Sequence, residues 1–381
     1  MRIMVFSTDD FMFPAGGAET AFGEISQRLG DIHFDLICAK LRYKSGSLEE
    51  HNNVTIYRLG LGIPMIDKIW LALFGHRTAL RLAKKNKYDL IWTILASYGG
   101  FAAIETKEKL KIPMLLTLQE GNPVDEITDK ANLARFVGRK YQDIFTKADG
   151  LQAISKYLEN WGKTMGFKSS VSCVVPNGVD TSIFTPVTSM QETATIRSKL
   201  GLGASNRLLI STSRLVSKNG LADVITAMAR LPNDIHFLIC GSGPLEASLK
   251  SLCQSLGLGE RIHFLGFVRR SELPDLLRAS DIFIRTSHSE GLGSSFFEAM
   301  AVKIPVIGTD VGGIKDFLTN NVTGYVAKVG DPENIAETIS RAFQDPNKQI
   351  IIENAYKMVI ETYNWNKISD QMRKLFSQIV S

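Results

Sequence analysis

What this chain has little of narrows its class first. Its 381 residues hold only four cysteines, Cys38, Cys173, Cys240 and Cys253, with no Cys-x-x-Cys pair and no histidine partners at metal spacing. A disulfide scaffold and a structural zinc site are thereby excluded, and reduced, buried thiols in a cytosolic protein are expected. The six histidines are dispersed. No apolar run approaches the roughly 20 residues needed to cross a bilayer. The N-terminal Met1 to Asp10 is a short apolar run ending in two aspartates, without the features of a signal peptide. Net charge is also small: 44 Lys plus Arg against 39 Asp plus Glu leave +5, too little to argue for nucleic acid. A Gly-x-x-x-x-Gly-Lys phosphate loop is missing, and Gly241-Ser242-Gly243 lacks the third glycine of a dinucleotide fingerprint.

What is present fits a soluble globular chain, with 44% hydrophobic and 22% charged residues. The length exceeds what one hydrophobic core usually serves, so two domains are expected. Short Val, Ile and Leu runs alternate with longer segments of helical period, the pattern of βα units around a parallel sheet. Strands are predicted at 2–7, 34–38, 54–58, 90–94, 114–118, 150–154 and 171–175, and in a second series at 208–212, 236–240, 262–265, 282–285 and 305–308. Between the series, the Pro176 to Asp180 turn and the polar stretch Thr185 to Thr195 predict a linker. Apolar residues at Trp365, Ile368, Met372, Leu375, Phe376 and Ile379 predict an amphipathic C-terminal helix. The fold class is therefore α/β, two doubly wound domains with ligands beyond the carboxyl ends of their strands.

The most informative stretch runs from His288 to Met300, where a glycine-bearing loop joins a strand to a helix. Amides at a helix start attract anionic oxygens, and Gly291 and Gly293 would let a ligand approach the backbone. Glu290 stands at the mouth of this loop. Glu298 has two readings: a ligand-binding acid, or the carboxylate of a Ser295-x-x-Glu298 capping box.

The order of motifs resembles the group 1 (family 4) retaining glycosyltransferases of the GT-B fold. It comprises Gly16-Gly17-Ala18-Glu19, Pro176-Asn177-Gly178-Val179-Asp180, Arg214-Leu215-Val216, Gly241-Ser242-Gly243-Pro244 and Phe264-Leu265-Gly266-Phe267. The stretch Leu273 to Asp331 follows, with Glu290, Glu298-Ala299-Met300 and Gly312-Gly313. The resemblance implies two Rossmann-like domains facing across a cleft, an acceptor-side domain over 1–180 and a nucleotide-sugar domain over 181–364, with the helix 365–381 packed back on the first.

It further implies that Glu290 holds hydroxyls of the donor sugar, beside Gly291, Leu292, Gly293 and Ser294, and that Glu298 accepts from the two ribose hydroxyls. Arg214 would bind the diphosphate, Gly16 and Gly17 would bring amides to the distal phosphate, and Gly241, Phe267 and Val268 would contact the nucleotide. Two departures stand out. Asn219 occupies the place of the family's lysine, so Lys218, one residue early, or Arg285, where relatives have an apolar residue, would supply the missing charge. Gln119 occupies the place of a sugar-contacting histidine, and an amide cannot take a proton. Neither a metal nor a cofactor is implied, since there is no Asp-x-Asp triplet. The activity implied is sugar transfer from a nucleotide-diphosphate-sugar to a glycan, lipid-linked or small-molecule acceptor in the cytoplasm. A nucleotide-sugar epimerase and a catalytically silent partner on the same fold are the alternatives.

One charged segment stands apart. Lys68, Arg77, Arg81, Lys84, Lys85 and Lys87 fall in a window without acidic residues. At 100° per residue, Trp70, Leu73 and Phe74 share a face with Arg77, Arg81, Lys84 and Lys85, and Ala72, Ala79 and Ala83 lie opposite. The pattern admits two readings: residues 63–88 touch an anionic membrane surface, or Trp70 and Phe74 are buried and the cations merely solubilise.

Overall fold

The structure is a computed structural model that describes residues 1–12, 16–122, 135–187, 190–203 and 205–381. It divides into two compact units, Met1–Asn177 with Trp365–Ser381, and Gly178–Asn364. The chain leaves the first unit within the Pro-Asn-Gly turn and returns to it at the last helix.

The first unit is built on eight strands: β1 (Arg2–Phe6), β2 (His33–Ala39), β3 (Leu48–His51), β4 (Val54–Leu59), β5 (Leu90–Ile94), β6 (Met114–Leu118), β7 (Gly150–Ala153) and β8 (Val171–Val174). Their order is β3-β4-β2-β1-β5-β6-β7-β8, parallel except for β3. Every residue of β5 and β6 is buried, as expected of strands covered by helices on both faces. The short, largely exposed Leu-Glu-Glu-His of β3 pairs antiparallel at the edge, which no apolar run announced.

Three helices of this unit matter below: α1 (Gly17–Arg28), α2 (Pro64–Ala83) and α3 (Tyr98–Leu110). The C-terminal helix Trp365–Val380 buries Trp365, Ile368, Met372, Leu375 and Phe376. Its Phe376 ring lies 5.1 Å from Trp92 on β5, and Phe22 of α1 lies 5.6 Å from the same indole. These rings join the helix to the sheet in one core, in the edge-to-face and tilted geometries that aromatic pairs favour.

The second unit has six parallel strands: β9 (Arg207–Thr212), β10 (Ile235–Cys240), β11 (Ile262–Gly266), β12 (Ile282–Arg285), β13 (Val306–Thr309) and β14 (Tyr325–Ala327). The order β11-β10-β9-β12-β13-β14 puts the topological switch between β9 and β12. At such a switch the connections on the two sides diverge and leave room for a ligand. Only three residues long, β14 carries too little pattern to be recognised in advance. The stretch 185–195 is not a linker: its described residues belong to the second unit. There Phe184 is buried and Arg278 donates to the Thr185 carbonyl at 3.1 Å.

Helix α2 also departs from expectation. Its buried residues are Asp67, Leu71, Gly75 and Ala79, while Ala72 and Ala83 are only half-buried. Gly75 allows the close approach, because a Cβ there would sit 2.9 Å from the Ala102 Cβ of α3.

Behind the carboxyl end of β1 lies a buried ion pair, Arg58 Nε to Asp10 Oδ2 at 2.7 Å, with Glu49 2.7 Å from the same guanidinium. It fastens the loop after β1 to β4. Replacing Asp10 by Ala leaves a buried cation short of its partner, and urea denaturation should show a loss of about 3 kcal/mol.

Candidate active site

Residues at the carboxyl ends of β9 and β12 converge on one buried acid. After β9 the chain makes a short 3-10 turn, Ser217–Asn219, and reaches Gly220 at φ +66°. A Cβ at Gly220 would lie 1.9 Å from the Thr286 carbonyl oxygen, and Thr286 Oγ1 donates to the Gly220 carbonyl at 3.0 Å. Only glycine lets the two loops touch here. The amide of His288 donates to the Lys218 carbonyl at 2.7 Å, a second tie between the same loops.

Arg285, the last residue of β12, spreads its guanidinium over this junction. It donates to Asn219 Oδ1 at 3.1 Å, Ser295 Oγ at 3.1 Å and Ser287 Oγ at 3.2 Å, and pairs with the Glu290 carboxylate. Glu290 is buried, and its other oxygen accepts from the Gly291 amide at 3.1 Å. Its backbone is held too: the Gly313 amide donates to the Glu290 carbonyl at 3.0 Å, and a Cβ at Gly312, where φ is +49°, would lie 2.0 Å from that oxygen. The acid is therefore oriented at both ends before any ligand arrives.

Asn219 is almost wholly buried, and its Nδ2 donates to the Arg214 carbonyl at 2.7 Å. An amide at this place thus braces the turn that carries Arg214. Arg214 itself is exposed. Lys218 is half-buried, and its ammonium is held below the ordinary lysine range by burial, with Arg285 and Arg214 adding repulsion and Glu290 opposing them. Lys218, Arg214, Arg285 and Glu290 thus share one electrostatic neighbourhood.

The helix Ser294–Ala301 starts at Gly293, whose φ of +89° makes it the N-cap without any side-chain cap bond. The capping-box reading of Glu298 therefore fails, and Ser295 takes its hydrogen bond from Arg285 instead. Glu298 is left as a half-buried acid with the Arg270 guanidinium 4.0 Å away. Burial pushes its carboxyl up to about 7, although Arg270 and Arg285 pull it down.

Gly241 at φ +152° packs on the turn after β9, where a Cβ would lie 1.9 Å from the Ser213 carbonyl oxygen. The Leu215 amide donates to the Ser242 carbonyl at 3.0 Å. Beyond β11, Phe267 is 76% exposed and Val268 half-buried. Leu292 is buried.

In the first unit, Gly16 is the N-cap of α1 and Gly17 its first residue. Gln119, past the end of β6, accepts at Oε1 from Asn177 Nδ2 at 3.0 Å. That orientation makes the Gln119 NH2 a donor. Its neighbour Glu120, which no motif singled out, is a buried acid. Its Oε1 accepts from the Ala96 amide at 3.0 Å, its Oε2 is buried without a hydrogen-bond partner among the described residues, and burial pushes the carboxyl up to about 7. An acid two residues past a buried, mostly apolar strand was the available signal.

Two α/β units, each on a largely parallel sheet, are the domains of the GT-B glycosyltransferase fold. Residues 15–183 match the Glycosyltransferase Family 4 model and residues 192–358 the Glycosyl transferases group 1 model. An uncharacterized glycosyltransferase of Methanocaldococcus jannaschii is 29% identical over 201 residues, 52% of either chain, so the match spans about half of that relative's length. Sucrose-phosphate synthase from Thermosynechococcus elongatus superposes with a TM-score of 0.87 at 23% identity, over 99% of this chain and 98% of its own. Anabaena HepE, solved in complex with UDP and glucose, superposes at 0.81 and 20% identity, over 99% and 100%. The chain is a glycosyltransferase, and it belongs to the group 1, family 4 type.

A side-chain carboxyl NMR titration of the ligand-free protein should place the Glu298 midpoint near 7. Arg270→Ala removes the nearest cation and should raise it further; a midpoint in the usual carboxylate range would contradict the burial argument.

Proposed function

We propose that this glycosyltransferase takes a sugar from a nucleotide-diphosphate-sugar held by the second unit and passes it, with retention and without a metal ion, to a glycan, lipid-linked or small-molecule acceptor. The observation that carries the reading is the pre-oriented Glu290 carboxylate beside Arg214, Lys218 and Arg285 at the β9/β12 switch. A sugar diphosphate needs hydroxyl acceptors next to concentrated positive charge. HepE, the fold neighbour solved with UDP and glucose, supports the choice of donor.

As the bond from the anomeric carbon to the phosphate oxygen breaks, its electron pair goes to the departing diphosphate. Arg214 and Lys218 face that growing charge. Arg285 serves differently: its donors are engaged by Glu290, Asn219, Ser295 and Ser287, so it sets the positions of the groups that do the binding. Lys218 thus answers for the family lysine displaced by Asn219. Glu290 accepts hydroxyls of the transferred sugar. The acceptor oxygen bonds to the anomeric carbon on the face the phosphate leaves, and its proton passes to a phosphate oxygen. Retention by this route needs no enzymic nucleophile, unlike the paired acids of retaining glycosidases.

Glu298, the remaining acid of the group, would accept both ribose hydroxyls with one bidentate carboxylate.

A panel of nucleotide sugars, read by thermal stabilisation and nucleotide release, tests the donor reading, and stabilisation by none would defeat it. Donor conversion without acceptor would mark an epimerase instead. Glu290→Gln should cut kcat by about 100-fold and Lys218→Ala should weaken donor binding about tenfold; wild-type values for both would remove them from the site. The raised Glu298 pKa adds a pH test. The carboxylate is the better acceptor, so nucleotide affinity should fall as pH drops through about 7, approaching tenfold per unit at the limit. Glu298→Gln should lack that component of the pH dependence.

A further inference from the structure

We propose that α2 and the turn before it form a docking surface for an anionic lipid bilayer, lying in the plane of the interface. The inference goes beyond the donor reading, because it concerns one face of the first unit alone.

The structure resolves the ambiguity of the basic window. On the N-terminal half of α2, Met65, Ile66, Ile69, Trp70 and Leu73 are all exposed, Trp70 at 46%, and Phe74 is half-buried, so the alternative that buries both aromatic rings fails at Trp70. The preceding turn adds Leu61 and Ile63, also exposed. Gly62, at φ +90°, brings that turn against the loop at 42–43, since a Cβ there would sit 2.4 Å from the Tyr43 Cα. Tyr43, 81% exposed, therefore stands beside the turn. Large aliphatic and aromatic side chains thus share one patch left exposed among the described residues, with an indole and a phenol of the kind that settle at membrane interfaces.

Charge names the occupant. Arg77 and Arg81 on the second half of α2, and Lys84, Lys85 and Lys87 just past its end, are exposed. The Arg77 guanidinium lies 4.8 Å from the Phe74 ring centroid, and that ring meets Trp70 at 5.3 Å. The one acid between residues 61 and 87 is Asp67. It is buried, with its carboxylate accepting from the amides of Leu61, Gly62 and Ile63 at 2.7 to 2.9 Å. Its negative charge is used to close the turn and does not face outward. On the adjoining α3, Glu105 pairs with Lys140 at 3.7 Å and Glu108 with Lys147 at 2.6 Å.

Beside the patch, Ile69 and Leu73 also wall a groove of about 630 Å3 whose other apolar lining is Ala72, Tyr98, Phe101 and Ile104. Apolar surface thus continues off the helix. An exposed patch of this kind with a cationic half fits phospholipid: side chains enter between headgroups while Lys and Arg meet phosphates. No helix among the described residues is long and apolar enough to cross a membrane, so the contact is peripheral.

The test is sedimentation of the full chain with phosphatidylcholine vesicles, with and without about one third phosphatidylglycerol. Partition should favour the anionic vesicles at least tenfold and collapse in about 1 M salt. Trp70→Ser with Leu73→Ser should lower binding about tenfold, while the melting temperature and its shift on nucleotide stay unchanged. If that pair disturbs folding, Arg77→Gln, Arg81→Gln, Lys84→Gln and Lys85→Gln together, all on exposed positions, carry the test and should remove the anionic preference. Equal partition onto both vesicle types, or none, overturns the proposal. So does concentration-dependent dimerisation abolished by the same substitutions, which would make a second copy of the chain the occupant.

Discussion

The second unit's site depends on one buried ion pair, Arg285 with Glu290. Both side chains are nearly excluded from water, 12% and 10% exposed, so neither charge is tolerable alone. The guanidinium has donors to spare, and it uses them on Asn219 from the β9 loop and Ser295 from the helix after β12. The Glu290 carbonyl meanwhile holds the amide of Gly313 from the β13 loop. Three strand-to-helix connections are thereby fixed against a single acid, and displacing any of them would leave a buried charge or amide unsatisfied. The pair organises the site even before it binds anything.

Such convergence requires backbones that nearly touch. Gly220 against Thr286, Gly241 against Ser213 and Gly312 against Glu290 each leave no room for a Cβ, and all three sit at positive φ, where other residues are strained. The glycines of this family pattern serve close loop packing as much as ligand approach. The Gly291 amide, expected to meet a ligand, donates to Glu290. Rigid loops of this kind suit electrostatic stabilisation, because dipoles already aligned need no reorganisation as charge develops.

The first unit divides its work differently. Three of its carboxylates turn inward: Asp10 holds Arg58, Asp67 closes the turn before α2, and Glu120 lies just past the end of β6 with a raised pKa. On α2 and just past its end, cations and large apolar side chains are displayed. A helix that packs through small residues such as Gly75 and Ala79 needs little of its surface for the core, which frees the opposite face for another partner.

Much of this was legible in the chain. Apolar runs located twelve of the fourteen strands among the described residues to within about two residues, because strands covered on both faces must be apolar along most of their length. The ordered motifs pointed to the family, since the glycines and acids of those loops are demanded by local geometry. Edge strand β3 escaped because it is polar, and the polar stretch 185–195 resembled a linker because nothing in it reveals that Arg278, 93 residues on, holds Thr185. Periodicity and turn chemistry are properties of neighbouring residues, so the sequence alone determined the α/β class and the placing of its loops. Which groups meet was decided only by tertiary structure. Arg285 and Asn219 are 66 residues apart, Glu298 is an uncapped acid only because Gly293 caps its helix, and which side of α2 faces outward depends on where α3 packs. Charge pairing, burial and pKa follow from distances through space, and those exist only once the sheets have assembled.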